Sequence, residues 1–439
     1  MLQAFRNAFK IPELKNRILF TLMILAVYRI GCHIPTPGIN GQALSQVFAA
    51  RGGVFGFADL FTGGALSNAT VFALGIMPYI TASIIFSLLT SVVPYLEKLS
   101  KEGEEGRKKI TQYTRYATIV LSLFQSYGIS LWLERLSGES PIVMNPGISF
   151  RLLTMLTFTT GSGFVMWLGE QISERGIGNG MSLIIFTSII SRMPSAFGFA
   201  IRFLSQGILS PFKAILLVAV MVVVIAGVIV LTQAQRRIPI QYPRQVKGRR
   251  VYGGHRSYLP LRVNQAGVIP IIFAVSLLTL PGMLSGAIRN PSVRNFLEMW
   301  ASRGSVPYTV AFAILIMAFC YFYTAITFNP TDIADNMKRY GGFVPGVRPG
   351  KATAEYLDYI MTRITFVGAM ALASVAIFPT LIEKGMDIDF VVASFFGGTS
   401  LLIMVGVALD TVSQMESHLL MRHYDGFMKK GRIRGRRRI

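Results

Sequence analysis

Ten long apolar runs divide the chain, and they constrain its fold more than any other feature. They cover residues 18–34, 71–93, 117–133, 152–168, 181–200, 214–231, 268–284, 310–328, 364–381 and 390–409. Each approaches the ~20 residues that a helix needs to cross a hydrocarbon core about 30 Å thick. The runs are unbroken rather than alternating, which specifies helices instead of barrel strands. The expected class is therefore an all-α integral membrane protein with ten transmembrane helices. Composition agrees: 52% of the 439 residues are hydrophobic and only 15% charged, against about a quarter charged in soluble chains. Arg192 and Pro194 interrupt the fifth run, which predicts a broken helix sheltered by protein or a cavity. Residues 1–17 lack an apolar core followed by a small-residue cleavage site, so the first run is read as a retained span. Cys32 and Cys320 sit at or within apolar segments, and neither a disulfide framework nor a metal site can be built from them.

The net charge of +22 would point to nucleic acid in a soluble protein. In a membrane protein its placement matters more, because Lys and Arg resist translocation. With the N-terminus inside, 32 of the 43 Lys and Arg fall on the inner side and 10 on the outer, Arg192 of the interrupted fifth run counted among these, with Arg29 inside the first span. Both termini are thus expected in the cytoplasm. Two inner loops carry more charge than topology requires. Residues 236–264 hold eight Lys and Arg and no acid, with a turn-prone Lys247-Gly248, and read as a basic hairpin. Residues 330–363 include Val344-Pro345-Gly346-Val347-Arg348-Pro349-Gly350, where two prolines stiffen the tip that carries Arg348. The basic end, 429–439, is expected to lack structure.

The chain also repeats itself. Gly75-Ile76-Met77-Pro78-Tyr79-Ile80 resembles Gly267-Val268-Ile269-Pro270-Ile271-Ile272. Gly180-Met181-Ser182-Leu183-Ile184-Ile185 resembles Gly398-Thr399-Ser400-Leu401-Leu402-Ile403. Five spans per half is odd, so the halves have opposite topology, an inverted repeat that places a pathway between them. The expected division is 1–205 for the first half, 206–410 for the second, and 411–439 for a basic cytoplasmic tail.

The repeat pairs Ile80 with Ile272 and Ile185 with Ile403, while Ile84 and Ile189 lie one helical turn further along the same faces. An isoleucine in a span ordinarily touches lipid or a neighbouring helix. A ring of them at a waist instead closes a pore by dewetting and selects no particular solute. An ion-coupled transporter would bury an ionisable group at mid-membrane, and the span centres hold almost none: Arg29 lies near an outer end and can snorkel, Asp410 at an inner end. There is no nucleophile–base pattern, metal-ligand cluster or nucleotide loop. Gly176-Ile177-Gly178-Asn179-Gly180 lacks the lysine and strand of a phosphate loop and reads as the turn before the fifth span. The first outer loop, 35–70, contains a mildly apolar stretch bracketed by glycines. It is either an ordinary surface loop or a short movable half-helix, hinged on glycine pairs, in the outer mouth.

These residues carry a resemblance to the SecY family, the central pore subunits of the bacterial Sec translocon. It extends over essentially the whole chain. Its most specific stretches are Gly64-Ala65-Leu66-Ser67 with Ala73–Ile80, Glu174-Arg175 with the Gly176–Gly180 turn, Gly248-Arg249-Arg250-Val251-Tyr252, Phe343–Gly350 and Phe396–Ile403. The resemblance implies a passive protein-conducting channel between two five-helix halves, with a pore ring of Ile80, Ile84, Ile185, Ile189, Ile272 and Ile403. It implies a plug over Phe57, Ala58, Asp59, Leu60, Phe61, Thr62, Gly63, Gly64, Ala65, Leu66 and Ser67. A lateral gate falls between spans two and three and spans seven and eight, with Thr90 and Gln125 as polar members. Arg249, Arg250, Arg339 and Arg348 match positions that meet a SecA-type ATPase or the ribosome. SecE- and SecG-type small subunits, precursor polypeptides, signal sequences and membrane lipids are the other implied partners, and the bacterial inner membrane is the implied location. No bond chemistry and no cofactor are implied. The rival readings are a secondary transporter of small solutes and, behind it, a membrane-embedded enzyme.

Overall fold

The computed structural model describes residues 11–430 except 42, 46–58, 60, 136–141, 208–209, 243, 248–249, 254–255, 286–289, 291, 294–295, 297–304 and 387–397. All ten apolar runs overlap helices. The first half holds α1 (Pro12–Gly31), α2 (Met77–Val92), α3 (Pro94–Lys101), α4 (Glu104–Arg135), α5 (Ile148–Arg175) and α6 (Gly180–Ser205). The second holds α7 (Pro211–Gln233), strands β1 (Gln235–Gln241), β2 (Arg244–Lys247), β3 (Arg250–Gly253) and β4 (Arg256–Arg262), then α8 (Ile269–Ser285), α9 (Val306–Thr327), α10 (Pro330–Arg339), α11 (Lys351–Met386) and α12 (Thr399–Lys430). By length and apolar composition alone six of these helices suffice to cross a membrane, and a seventh span counts if the bent pair α2–α3 is taken as one.

Local chemistry explains where the helices begin. Proline occupies the first turn of α1, α2, α3, α7, α9 and α10, where its missing N–H costs nothing and its fixed φ suits the helix. Ser210, Ser305 and Asn329 cap α7, α9 and α10 by accepting hydrogen bonds from backbone amides of the first turn. The two copies of the repeat start alike: Gly75 and Gly267 take φ of +54° and +63°, and α2 and α8 begin two residues later. Left-handed backbone there favours glycine, so the repeated glycine is a structural requirement.

The fifth run departs from expectation. Far from being broken, α6 is continuous from Gly180 to Ser205 with Pro194 inside it. Asn179 anchors its start, Oδ1 accepting from Met181 N at 3.1 Å and Ser182 N at 3.3 Å. The preceding glycine-rich segment is a turn, as expected, and it is docked: Ile177 N donates to Thr21 Oγ1 of α1 (3.1 Å) and Gly178 N to Gln414 Oε1 of α12 (3.1 Å). It thus ties α1 of the first half to α12 of the second.

The basic loops are also more structured than the sequence implied. In 236–264, β1 pairs antiparallel with β4 and β2 with β3, so the expected basic hairpin is formed. The second loop, expected to run over 330–363, is only 340–350. Asn329-Pro330 caps and starts α10, and α11 begins at Lys351, well before the apolar run it carries. An antiparallel bridge joins the two loops, Gln241 N to Phe343 O at 2.9 Å and Phe343 N to Gln241 O at 3.0 Å. Ile238, Ile240, Leu261, Met337, Val344 and Leu357 form an apolar core beneath them. The final helix, α12, extends to Lys430, past the point where a tail was expected; 431–439 lie outside the described residues.

Candidate pore and its outer closure

The halves meet along two seams. On one, α8 packs against α2 and α4; on the other, α6 packs against α12 and α7. Between the seams lies the largest apolar cluster in the molecule. It contains all six isoleucines singled out in the sequence: Ile80 and Ile84 from α2, Ile185 and Ile189 from α6, Ile272 from α8 and Ile403 from α12. None is more than 8% exposed, and Ile403 is fully buried. Four helices, two from each half, therefore bring branched apolar side chains to one place. Burying one such side chain is worth about 1.5–3 kcal/mol, so the cluster holds the four helices together.

The segment assigned to the plug sits against this cluster. Phe57, Ala58 and Leu60 lie outside the described residues. Phe61 and Ala65 belong to the same cluster as the isoleucines, while Leu66 joins a second, smaller core with Leu74, Ile129, Leu133 and Phe150. Asp59, Thr62 and Ser67 are buried polar groups, and their partners are specific. Asp59 forms an ion pair with Arg192 of α6. Its other carboxylate oxygen accepts from Ser67 N at 2.9 Å and from Thr62 Oγ1 at 3.3 Å. Arg192 also donates to Ser67 Oγ at 3.1 Å. Arg29 of α1 donates to the Gly63 carbonyl at 3.2 Å, and Tyr28 hydrogen-bonds Ser188 Oγ at 2.7 Å beside it.

The glycine pair is not a free hinge. Gly63 and Gly64 have φ of +66° and +93°. A Cβ on Gly63 would lie 3.0 Å from both Arg29 Nη1 and Ser188 Cα, and one on Gly64 3.1 Å from Arg192 Nη2. At these glycines the segment backbone lies close against α1 and α6. Sequence reasoning missed Arg192 and Arg29 as partners of this segment. The signal was present: both are cations in apolar runs with no acid near them in sequence, and Asp59 is an acid in an apolar stretch.

At the α8 seam, Ser276 of α8 reaches Met77 Sδ of α2 at 4.0 Å. Gln125 is buried, and its Oε1 has no partner. Thr90 is half-buried and donates to Ser87 O of its own helix at 2.8 Å, so its hydroxyl is not committed across the seam. Arg339, at the end of α10, and Arg348, in the 340–350 loop, are both exposed. Arg249 lies outside the described residues, and Arg250 is placed only as backbone in β3.

Buried isoleucines from both halves of the repeat converge in one cluster that also holds Phe61 and Ala65, an arrangement that fits a protein-conducting channel. Comparison with known proteins gives the family. The SecY family model matches residues 70–412. The chain is 45% identical to the protein translocase subunit SecY of Thermotoga maritima over the full length of both chains. It is 45% identical to that of Escherichia coli strain K12 over 96% of each. This chain belongs to the SecY family. Its fold matches a solved protein-conducting channel with a TM-score of 0.66 at 16% identity over 93% of each chain. It matches a SecY whose plug domain stabilises the closed state at 0.64, and Sec61 of a canine ribosome–channel complex at 0.63, each at 16% identity and 93% coverage.

Proposed function

We propose that Ile80, Ile84, Ile185, Ile189, Ile272 and Ile403 form the constriction through which unfolded polypeptides pass, and that 57–67 is its plug. The observation that carries this reading is the convergence of these isoleucines from both halves into one buried cluster that also contains Phe61 and Ala65. A hydrophobic constriction dewets when narrow and deforms around a passing chain. The α8 seam against α2 and α4, with the orphaned Gln125 acceptor, is the route by which signal sequences and membrane segments leave for lipid. The two halves, divided near 205, would part along it.

The chain supplies no energy source for this work. A SecA-type ATPase or a translating ribosome drives the polypeptide, engaging the exposed Arg339 and Arg348 and the basic hairpin that carries Arg249 and Arg250. SecE- and SecG-type subunits complete the complex. Both termini face the cytoplasm of a bacterial inner membrane, consistent with the distribution of Lys and Arg. The transporter alternative gains no support, since the waist offers no buried polar solute site.

The test is photocrosslinking from positions 80 and 403 during export of a stalled precursor by the reconstituted complex. Adducts from both positions that require ATP and the motor are expected. Crosslinks confined to the cytoplasmic loops would reject the constriction.

A further inference from the structure

We propose that the closed state is held by a two-arginine catch built within the N-terminal half, in which Arg192 of α6 grips Asp59 and Ser67 while Arg29 of α1 grips the Gly63 carbonyl. The inference rests on the assignment of 57–67 as the plug and adds how that segment is retained.

Asp59 does two things at once. One carboxylate oxygen receives Arg192; the other accepts from the Ser67 amide and the Thr62 hydroxyl. The carboxylate therefore closes the segment into a compact turn and ties that turn to α6. Its side chain is only 2% exposed and that of Arg192 26%. A charge so placed is costly without its partner, because the Ser67 amide and Thr62 hydroxyl serve one oxygen and leave the other to Arg192. Arg29 adds a second point of attachment. The left-handed Gly63 and Gly64 let both guanidinium groups approach the backbone, where a side chain would stand in the way. The Tyr28–Ser188 hydrogen bond locks α1 to α6 directly under the turn, which fixes the spacing of the two arginines.

These contacts all run to α1 and α6, on the same half of the molecule. Parting the halves at the α8 seam breaks none of them. Release of the segment is thus a separate event from opening of the seam, and it requires the Asp59–Arg192 pair to be hydrated or displaced.

The test is the resting ionic conductance of the complete channel complex in planar bilayers, with no substrate present, at matched amounts of inserted complex. Asp59→Asn and Arg192→Met are each expected to raise the leak several-fold, and the double variant no further than the larger single. Arg192→Lys should stay near the parent, because it keeps the charge. Arg29→Met should raise the leak less than Arg192→Met. Deletion of 57–67 serves as the reference. A leak on deletion with none from the single variants overturns the catch and leaves the plug standing. No leak on deletion overturns both. Additive effects in the double variant, or a leak from Arg192→Lys equal to that from Arg192→Met, also overturn the catch, because the residues would then act through packing and not as a charged pair.

Discussion

Single side chains at the waist act through their lack of polarity. Ile403 is fully buried among apolar neighbours from both halves, so Ile403→Asn places an amide where no partner exists. Water entering to solvate it would wet the constriction, and a raised ion leak in bilayers with the complex still assembled is the expected result. Tyr28 offers a milder perturbation. Tyr28→Phe removes its hydroxyl from Ser188 and leaves Ser188 bonded to Ile184 O; a loss of about 1 kcal/mol is expected, measured as a lower thermal midpoint in detergent. The isoleucines were legible in the sequence because the repeat aligns them without reference to any fold. Arg29 and Arg192 were not. Read alone, each is a cation that must reach water or a partner, and Arg192 finds Asp59 at a separation of 133 residues. No periodicity encodes a contact of that kind.

Among the elements, the long apolar runs located the spans because burial in lipid demands one length and one composition. What lies outside lipid obeys capping chemistry instead, and there the run of hydrophobicity misled. Asn329-Pro330 starts a helix that hydropathy placed in a loop. The expected break at Pro194 failed for the opposite reason: packing on both sides of α6 sustains a helix that composition argues against. Asn179→Ala tests how far its first turn depends on the cap. A destabilisation of about 1 kcal/mol is expected, with increased hydrogen exchange at Met181 and Ser182. The contact of Glu134 in α4 with Arg151 in α5 depends on pH. The Arg151 guanidinium, aided by the Gly147 amide, holds the Glu134 carboxyl below its usual range. Its contribution is therefore complete above the ordinary carboxylate range and disappears as pH falls through the depressed value. Protection of the Gly147 amide, corrected for intrinsic exchange, should fall over that acidic window and be absent at every pH in Glu134→Ala.

For the whole molecule, the repeat is the feature that joins sequence to architecture, since matching glycines begin matching helices in the two halves. The exposed Arg348, held between Pro345 and Pro349, belongs to the second half alone. Arg348→Glu is expected to reduce motor-driven export while leaving complex assembly unchanged; export at the parental rate would remove the role given to it. The bridge between Gln241 and Phe343 carries a wider implication. Because β1 continues from α7, β4 leads towards α8, and α10 lies between α9 and α11, a push on either cytoplasmic loop is shared by four spans of one half. Besides the chain connection between α6 and α7, the docked glycine turn and the apolar seams pass that load to the other half. A cytoplasmic motor would in effect hold a handle fixed to one jaw of a vice, with the outer closure mounted on the other jaw.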